Sequence, residues 1–203
     1  MIKSLILAVA MVMAAAPATT TLTQDERDKA IAELEGSKKM FLDATKGLSE
    51  AQWKFKAGPD RWSIAECAEH IALSEGFIFG NVTDKIMKAT LAPEKREATK
   101  GKDEMVVKML QDRSFKAKAP EPIDPTKKPM TPEESVKLFL ESRGKSEDFM
   151  KTTQEDLRDH IVDGPGPIGP LDAYQWVMFM SGHTRRHTLQ ILEVKADPNF
   201  PKM

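Results

Sequence analysis

One cysteine, one tyrosine and four histidines are the scarcities of this 203-residue chain, and the first of them already closes off a class of protein. A single thiol, Cys67, cannot form an intrachain disulfide, so no cystine framework holds the fold. Flanked by apolar positions at helical spacing, Cys67 reads as a small buried hydrophobe, with a thiol beside a functional site as the alternative. Charge of one sign is also lacking: 30 basic residues stand against 31 acidic ones, a formal net charge of −1. That balance favours neither a nucleic acid nor an anionic membrane surface as partner. No apolar run reaches the roughly 20 residues a bilayer span requires. What remains, 40% hydrophobic and 30% charged, is an ordinary soluble globular composition, long enough for one domain with a sizeable core.

The first 18 residues stand apart. Lys3 provides a positive start, Leu5 to Ala16 a short apolar run, and Ala16-Pro17-Ala18 a small-residue cleavage site, together the pattern of a secretory signal peptide cut after Ala18. The mature protein, residues 19–203, is expected to be periplasmic or secreted as a single domain, with no stable membrane insertion once the signal is removed.

Three capping-box patterns then punctuate the chain. Thr23 with Glu26, Ser63 with Glu66 and Thr131 with Glu134 each place a hydroxyl three residues before a carboxylate at the head of an apolar periodic stretch. They predict helices from about 24 to 46, from Ser63 towards Ala89, and from Thr131 through Met150 with an interruption at Gly144. A fourth helix is predicted from near Leu171 to Lys195, after the Gly/Pro loop DGPGPIGP. Between about residues 90 and 130 Lys, Pro and Ala dominate, and only 103–113 looks helical. That segment reads as a solvated excursion rather than an anion-binding or lid segment. With no convincing strands, the expected fold is all-α: a four-helix bundle with long crossover connections.

The chemistry concentrates in WVMFMSGHTRRHTLQILEV, Trp176 to Val194. His183 and His187 are four residues apart on a stripe formed by Trp176, Phe179, Met180, Ile191 and Val194. Positions i and i+4 lie one above the other on a helix, so two imidazoles can converge on one metal ion. An unpaired buried imidazole costs about 1–3 kcal/mol, so the pair must be hydrogen-bonded or metal-bound. His70, inside the second predicted helix, is a better third ligand than His160, which lies beside the Gly/Pro loop. Glu66, one turn before His70, is a candidate general base or orienting group as well as a cap. Gln190 can orient water or substrate, and Arg185 or Arg186 can hold an anion or serve in surface ion pairs. Tyr174 and the three tryptophans read as packing anchors, and Met178 and Met180 as core filler.

Trp62-Ser63-Ile64-Ala65-Glu66 leading to Glu69-His70-Ile71, followed far downstream by His183-Thr184-Arg185-Arg186-His187-Thr188-Leu189-Gln190, resembles the DinB-like superfamily. The similarity spans essentially the whole mature chain, including WKFKAGPDRW and the Gly169-Pro170-Leu171-Asp172-Ala173 entry to the last helix. The resemblance implies a four-helix bundle, often a homodimer, holding a divalent transition metal on His70, His183 and His187. Zinc or nickel leads the candidates, followed by iron and copper. It further implies a hydrolase or thiol-type transferase acting on a small molecule. An exported chain lacks ready access to cytosolic thiols, which weighs against the transferase. The alternative is a non-catalytic metal-binding or interaction protein with a structural or vestigial triad.

Overall fold

Five side-chain caps start the helices. In the computed structural model, which describes residues 21–202 apart from Ala117 and Lys128, Thr23, Ser49, Ser63, Thr131 and Asp172 each accept a hydrogen bond from the backbone N–H three residues on. In every case the residue at that third position reaches back to the cap. Each cap satisfies amides that the helix cannot, and is worth about 1 kcal/mol. The helices they open are α1 (Gln24–Thr45), α2 (Glu50–Lys54), α3 (Ile64–Asp84), α6 (Pro132–Thr152) and α7 (Ala173–Lys195), with α4 (Arg96–Thr99) and α5 (Lys102–Gln111) between α3 and α6.

Four long helices form a ring in which α1 packs on α7, α7 on α3, α3 on α6, and α6 back on α1. The chain therefore crosses the bundle diagonally from α1 to α3 and again from α6 to α7, which is what its long connectors permit. Two apolar clusters fill the bundle. One is built around Leu34, Ile78, Met150 and Met180, the other around Phe41, Ile71, Phe139 and Ile191. The sequence positions on all four helices show what lies between them: Ser37, Glu75, Arg143 and Thr184, a buried polar layer. Arg143, fully buried, sends Nη2 to Glu75 at 2.9 Å and to Thr184 at 3.2 Å, and Nη1 to Ser37 at 2.8 Å and to the Leu34 carbonyl. Its Nε also binds Glu75, so all five guanidinium donors are used.

Several expectations are corrected. The helix through His70 stops at Asp84; Lys85 leaves helical geometry and Ile86–Lys88 forms a separate 3-10 turn. Gly144 does not interrupt α6, which runs unbroken from Pro132 to Thr152 because Ser142, Arg143 and Ser146 on either side of it are buried in the bundle. Two short antiparallel strands, β1 (Ile161–Asp163) and β2 (Pro170–Asp172), pair just before α7, so Leu171 belongs to a strand and the helix begins at Ala173. The hairpin closes tightly: the Gly164 N–H donates to Gly169 O at 2.8 Å, and a Cβ on Gly164 would sit 2.7 Å from that oxygen.

Most described residues of the Lys/Pro-rich segment are exposed, as expected of an excursion, but the segment is anchored to the bundle at several points. Helix α5 lies along the outer side of α7 with Val106 and Val107 buried, and Gly182 makes this possible, since a Cβ there would meet Val107 Cα at 3.0 Å. Beyond α5 the chain forms a 3-10 turn, Glu121–Ile123, packed on α3, with Ile123 buried. It is tied down at Met130, whose N–H donates to Glu69 at 2.9 Å. Lysine and proline hid these contacts because few apolar residues carry them; several are made by backbone groups, which composition does not register.

The candidate metal centre

His70 on α3 and His183 and His187 on α7 meet where these two helices pack. One ring nitrogen from each lies within 4.8 Å of the others. Ring centroids are separated by 4.4 Å for His70 and His187, 4.5 Å for His183 and His187, and 5.0 Å for His70 and His183. His70 is 3% and His187 9% exposed, whereas His183 is only partly covered. Desolvation holds the His70 pKa below the ordinary histidine value. It holds those of His183 and His187 well below, with repulsion between the neighbouring imidazoles adding to it. All three are thus neutral at pH 7, the state in which imidazole binds a metal.

Hydrogen bonds fix which nitrogen is available. Nδ1 of His70 lies 2.7 Å from the Ile123 carbonyl, which can only accept, so the proton is on Nδ1 and the lone pair on Nε2. Nδ1 of His187 lies 3.0 Å from Gln190 Oε1, an atom that also accepts from Arg113 Nη1 at 3.3 Å. Because arginine only donates, the Gln190 atom facing both is the amide oxygen, and His187 also carries its proton on Nδ1. His183 is placed by packing, its ring stacked on Phe179 at 6.3 Å. Among the described residues, no Cys, Asp or Glu joins the three imidazoles. The donor set therefore suits a divalent transition ion: neutral nitrogen ligands, two of them oriented by hydrogen bonds on the opposite ring atom.

The other residues singled out from sequence fall differently. Both oxygens of Glu66 are engaged, Oε2 by the Ser63 N–H and Oε1 by Lys56, each at 2.7 Å, so the carboxylate belongs to the helix cap and not to the histidine cluster. Arg185 pairs with Glu33 on α1 at 3.0 Å. Arg186 donates to the backbone carbonyls of Leu110, Asp112 and Phe115, pinning the end of α5 and the turn after it. Gln190 alone of these touches a histidine of the cluster. His160 sits in a loop, bound to the Ala89 carbonyl at 3.0 Å. Cys67 is fully buried in an apolar cluster, and desolvation pushes its thiol pKa far up.

Sequence reasoning missed three participants. Trp62, read as a packing anchor, leans over the site with its ring 4.8 Å from His70 and 5.8 Å from His187. Its place just before the Ser63 cap, in the stretch leading to His70, was the available signal. Ile123 contributes a backbone carbonyl and left no signal. Arg113 left only its place at the end of a helical stretch. Away from the histidines, a cavity of about 270 Å³ lies beside Arg158, whose guanidinium is already engaged by Glu26, Asp103 and Asp172 and stacks on Tyr174.

A four-helix ring with an imidazole cluster between two of its helices, able to hold a metal ion, is the arrangement to set against known proteins. The model of the DinB superfamily matches residues 33–191, and the chain belongs to that superfamily. The uncharacterised protein YuaE of Bacillus subtilis is 24% identical over 151 residues, covering 74% of this chain and 87% of YuaE. YfiT from Bacillus subtilis, described as a probable metal-dependent hydrolase with an unusual four-helix bundle topology, superposes with a TM-score of 0.53. That match has 14% identity over 90% of this chain and 93% of YfiT.

Proposed function

We propose that this protein is an exported, metal-dependent enzyme, a hydrolase in preference to a thiol-type transferase, acting on a small molecule at His70, His183 and His187. One observation carries the reading: three neutral imidazoles converge, and no fourth protein ligand joins them among the described residues. Structural zinc sites close with four protein ligands, while three nitrogens leave a position for water or substrate. The description of YfiT as a probable metal-dependent hydrolase is consistent with hydrolysis. A zinc or nickel ion held there would act as a Lewis acid, polarising a carbonyl or lowering the pKa of water. Iron and copper are further options, since imidazole accepts each of them.

The chain's own residues supply the rest. Gln190 and the Ile123 carbonyl hold two rings in the tautomer that turns Nε2 inward. Trp62 and Phe179 pack against the rings of His70 and His183 and form part of the wall of the site. With Glu66 committed to its cap, no carboxylate of this chain is assigned as base.

A second reading, a non-catalytic metal protein, draws on the burial of His70 and His187 beneath the segment that follows α5. Metal analysis of the purified protein, beside His70→Ala, His183→Ala and His187→Ala, tests both. About one equivalent of metal in the parent, lost in each variant together with turnover of a panel of small esters and amides, is the expected outcome. Metal without turnover would favour the second reading. Absence of metal after reconstitution would overturn both.

A further inference from the structure

The two histidine tautomers are set by groups that come not from the ligand-bearing helices alone but from the connector between α5 and α6. We propose that this connector is the outer coordination layer of the metal centre, and that Arg113 and Gln190, with the Ile123 carbonyl, act as positioning groups that set metal affinity. The inference rests on the metal-site reading above and adds to it a role for residues that touch no metal.

Three observations converge. The Ile123 carbonyl receives the His70 Nδ1 proton at 2.7 Å, and the turn bearing it is closed by its own bond from Ile123 N–H to Pro120 O at 3.0 Å. The connector's far end is fastened at Glu69, the residue next to His70, through the Met130 N–H. On the other side, Arg113 is locked by a two-pronged bond to Glu193, at 2.6 and 3.0 Å, and from there donates to Gln190, which receives the His187 proton. Arginine thus fixes the orientation of the amide that holds His187, keeping its oxygen and not its NH2 turned to the ring. A ring whose N–H is held by an acceptor loses less rotational freedom on binding a cation and presents a more basic Nε2. Coupling of this kind is reciprocal: a cation on Nε2 strengthens the Nδ1–H donor and should tighten the connector in return.

A connector that merely shields the core would change folding when altered and leave affinity alone, so both are measured. Zinc affinity by chelator competition, the visible spectrum of the cobalt(II) form and the metal-free thermal midpoint are recorded for the parent, Gln190→Leu, Gln190→Glu and Arg113→Met. Gln190→Leu removes the acceptor and is expected to weaken zinc binding by about 10- to 100-fold and to shift the cobalt bands. Gln190→Glu retains an acceptor and should stay within about threefold of the parent, while Arg113→Met falls between, at several-fold. Parent-like affinity in both Gln190→Leu and Arg113→Met, with zinc bound by the parent, would overturn this inference and leave the metal-site reading standing. A parent that binds no zinc would remove both. Equal losses in Gln190→Leu and Gln190→Glu would show that crowding and not the acceptor is at issue, which also overturns it. Should a variant fail to fold, amide exchange in the parent decides: zinc should slow exchange across residues 120–125, and unchanged exchange refutes the coupling.

Discussion

Two buried polar assemblies lie in this bundle, and they are built on opposite logic. Around Arg143 every donor meets an acceptor: Glu75 takes two of its N–H groups, and Ser37, Thr184 and the Leu34 carbonyl take the others. Around His70, His183 and His187 the assigned protons point outward, to Ile123 and Gln190, and the Nε2 lone pairs of His70 and His187 are left for the interior. The first assembly is saturated, so it can only hold helices together. The second spends its donors on the surroundings and leaves acceptors converging on one another, an arrangement with no stabilising purpose until a cation enters. Burial alone does not distinguish a site from a structural network; the direction of the unused hydrogen-bonding capacity does.

The sharpest break in this comparison comes from the saturated side. Arg143→Met strands Glu75 without its partner and should cost about 3–5 kcal/mol, read as a large fall in thermal midpoint by circular dichroism. Replacing both partners, Glu75→Leu with Arg143→Leu, should recover much of that loss, because the penalty comes from the orphaned charge. A double variant as unstable as the single one would show that the layer is needed for shape and not for charge balance.

The triad side responds to pH. All three histidine pKa values are lowered in the folded protein, so the unfolded chain takes up protons first, below about pH 6.5. Stability of the metal-free protein is therefore complete above that pH and is lost as pH falls, by up to about 1.4 kcal/mol per pH unit for each histidine. Denaturant midpoints between pH 7.5 and 5.5 should show this slope, and His183→Asn should flatten it. An unchanged slope in that variant would mean that His183 titrates as it would in water.

The smallest effect belongs to Cys67, which lies in the apolar cluster beside both assemblies and joins neither. Burial raises its pKa and removes it from solvent, so iodoacetamide at pH 8 should leave the native protein unlabelled and label it fully in denaturant. Rapid native labelling would reveal an opening between α3 and its neighbours.

Legibility in the sequence followed the range of the interactions. The caps at Thr23, Ser63 and Thr131 involve residues three apart, and all three form as the pattern implies. The His183 and His187 pair shares one helical face, which spacing alone discloses. The caps at Ser49 and Asp172 obey the same rule with Gln in place of Glu, but the first heads a five-residue helix with no long periodic stretch and the second follows directly on a strand, which blurs where its helix begins. Trp62 was visible as a large aromatic, but what it covers depends on how α3 and α7 approach.

The amino-acid sequence by itself determined the four long helices, the apolar stripes that oblige them to pack, and the spacing that puts two imidazoles on one turn of α7, because these depend only on local geometry and periodicity. Tertiary structure decided that Glu66 serves its cap and Lys56, that Arg143 finds Glu75 across 68 residues of chain, and that the Lys/Pro-rich connector folds back over the histidines. It also decided the tautomers, through an Ile123 carbonyl 53 residues from His70. Every residue has the same carbonyl, so no side-chain pattern can announce which one will face a ring; only the packing of one segment against another selects it.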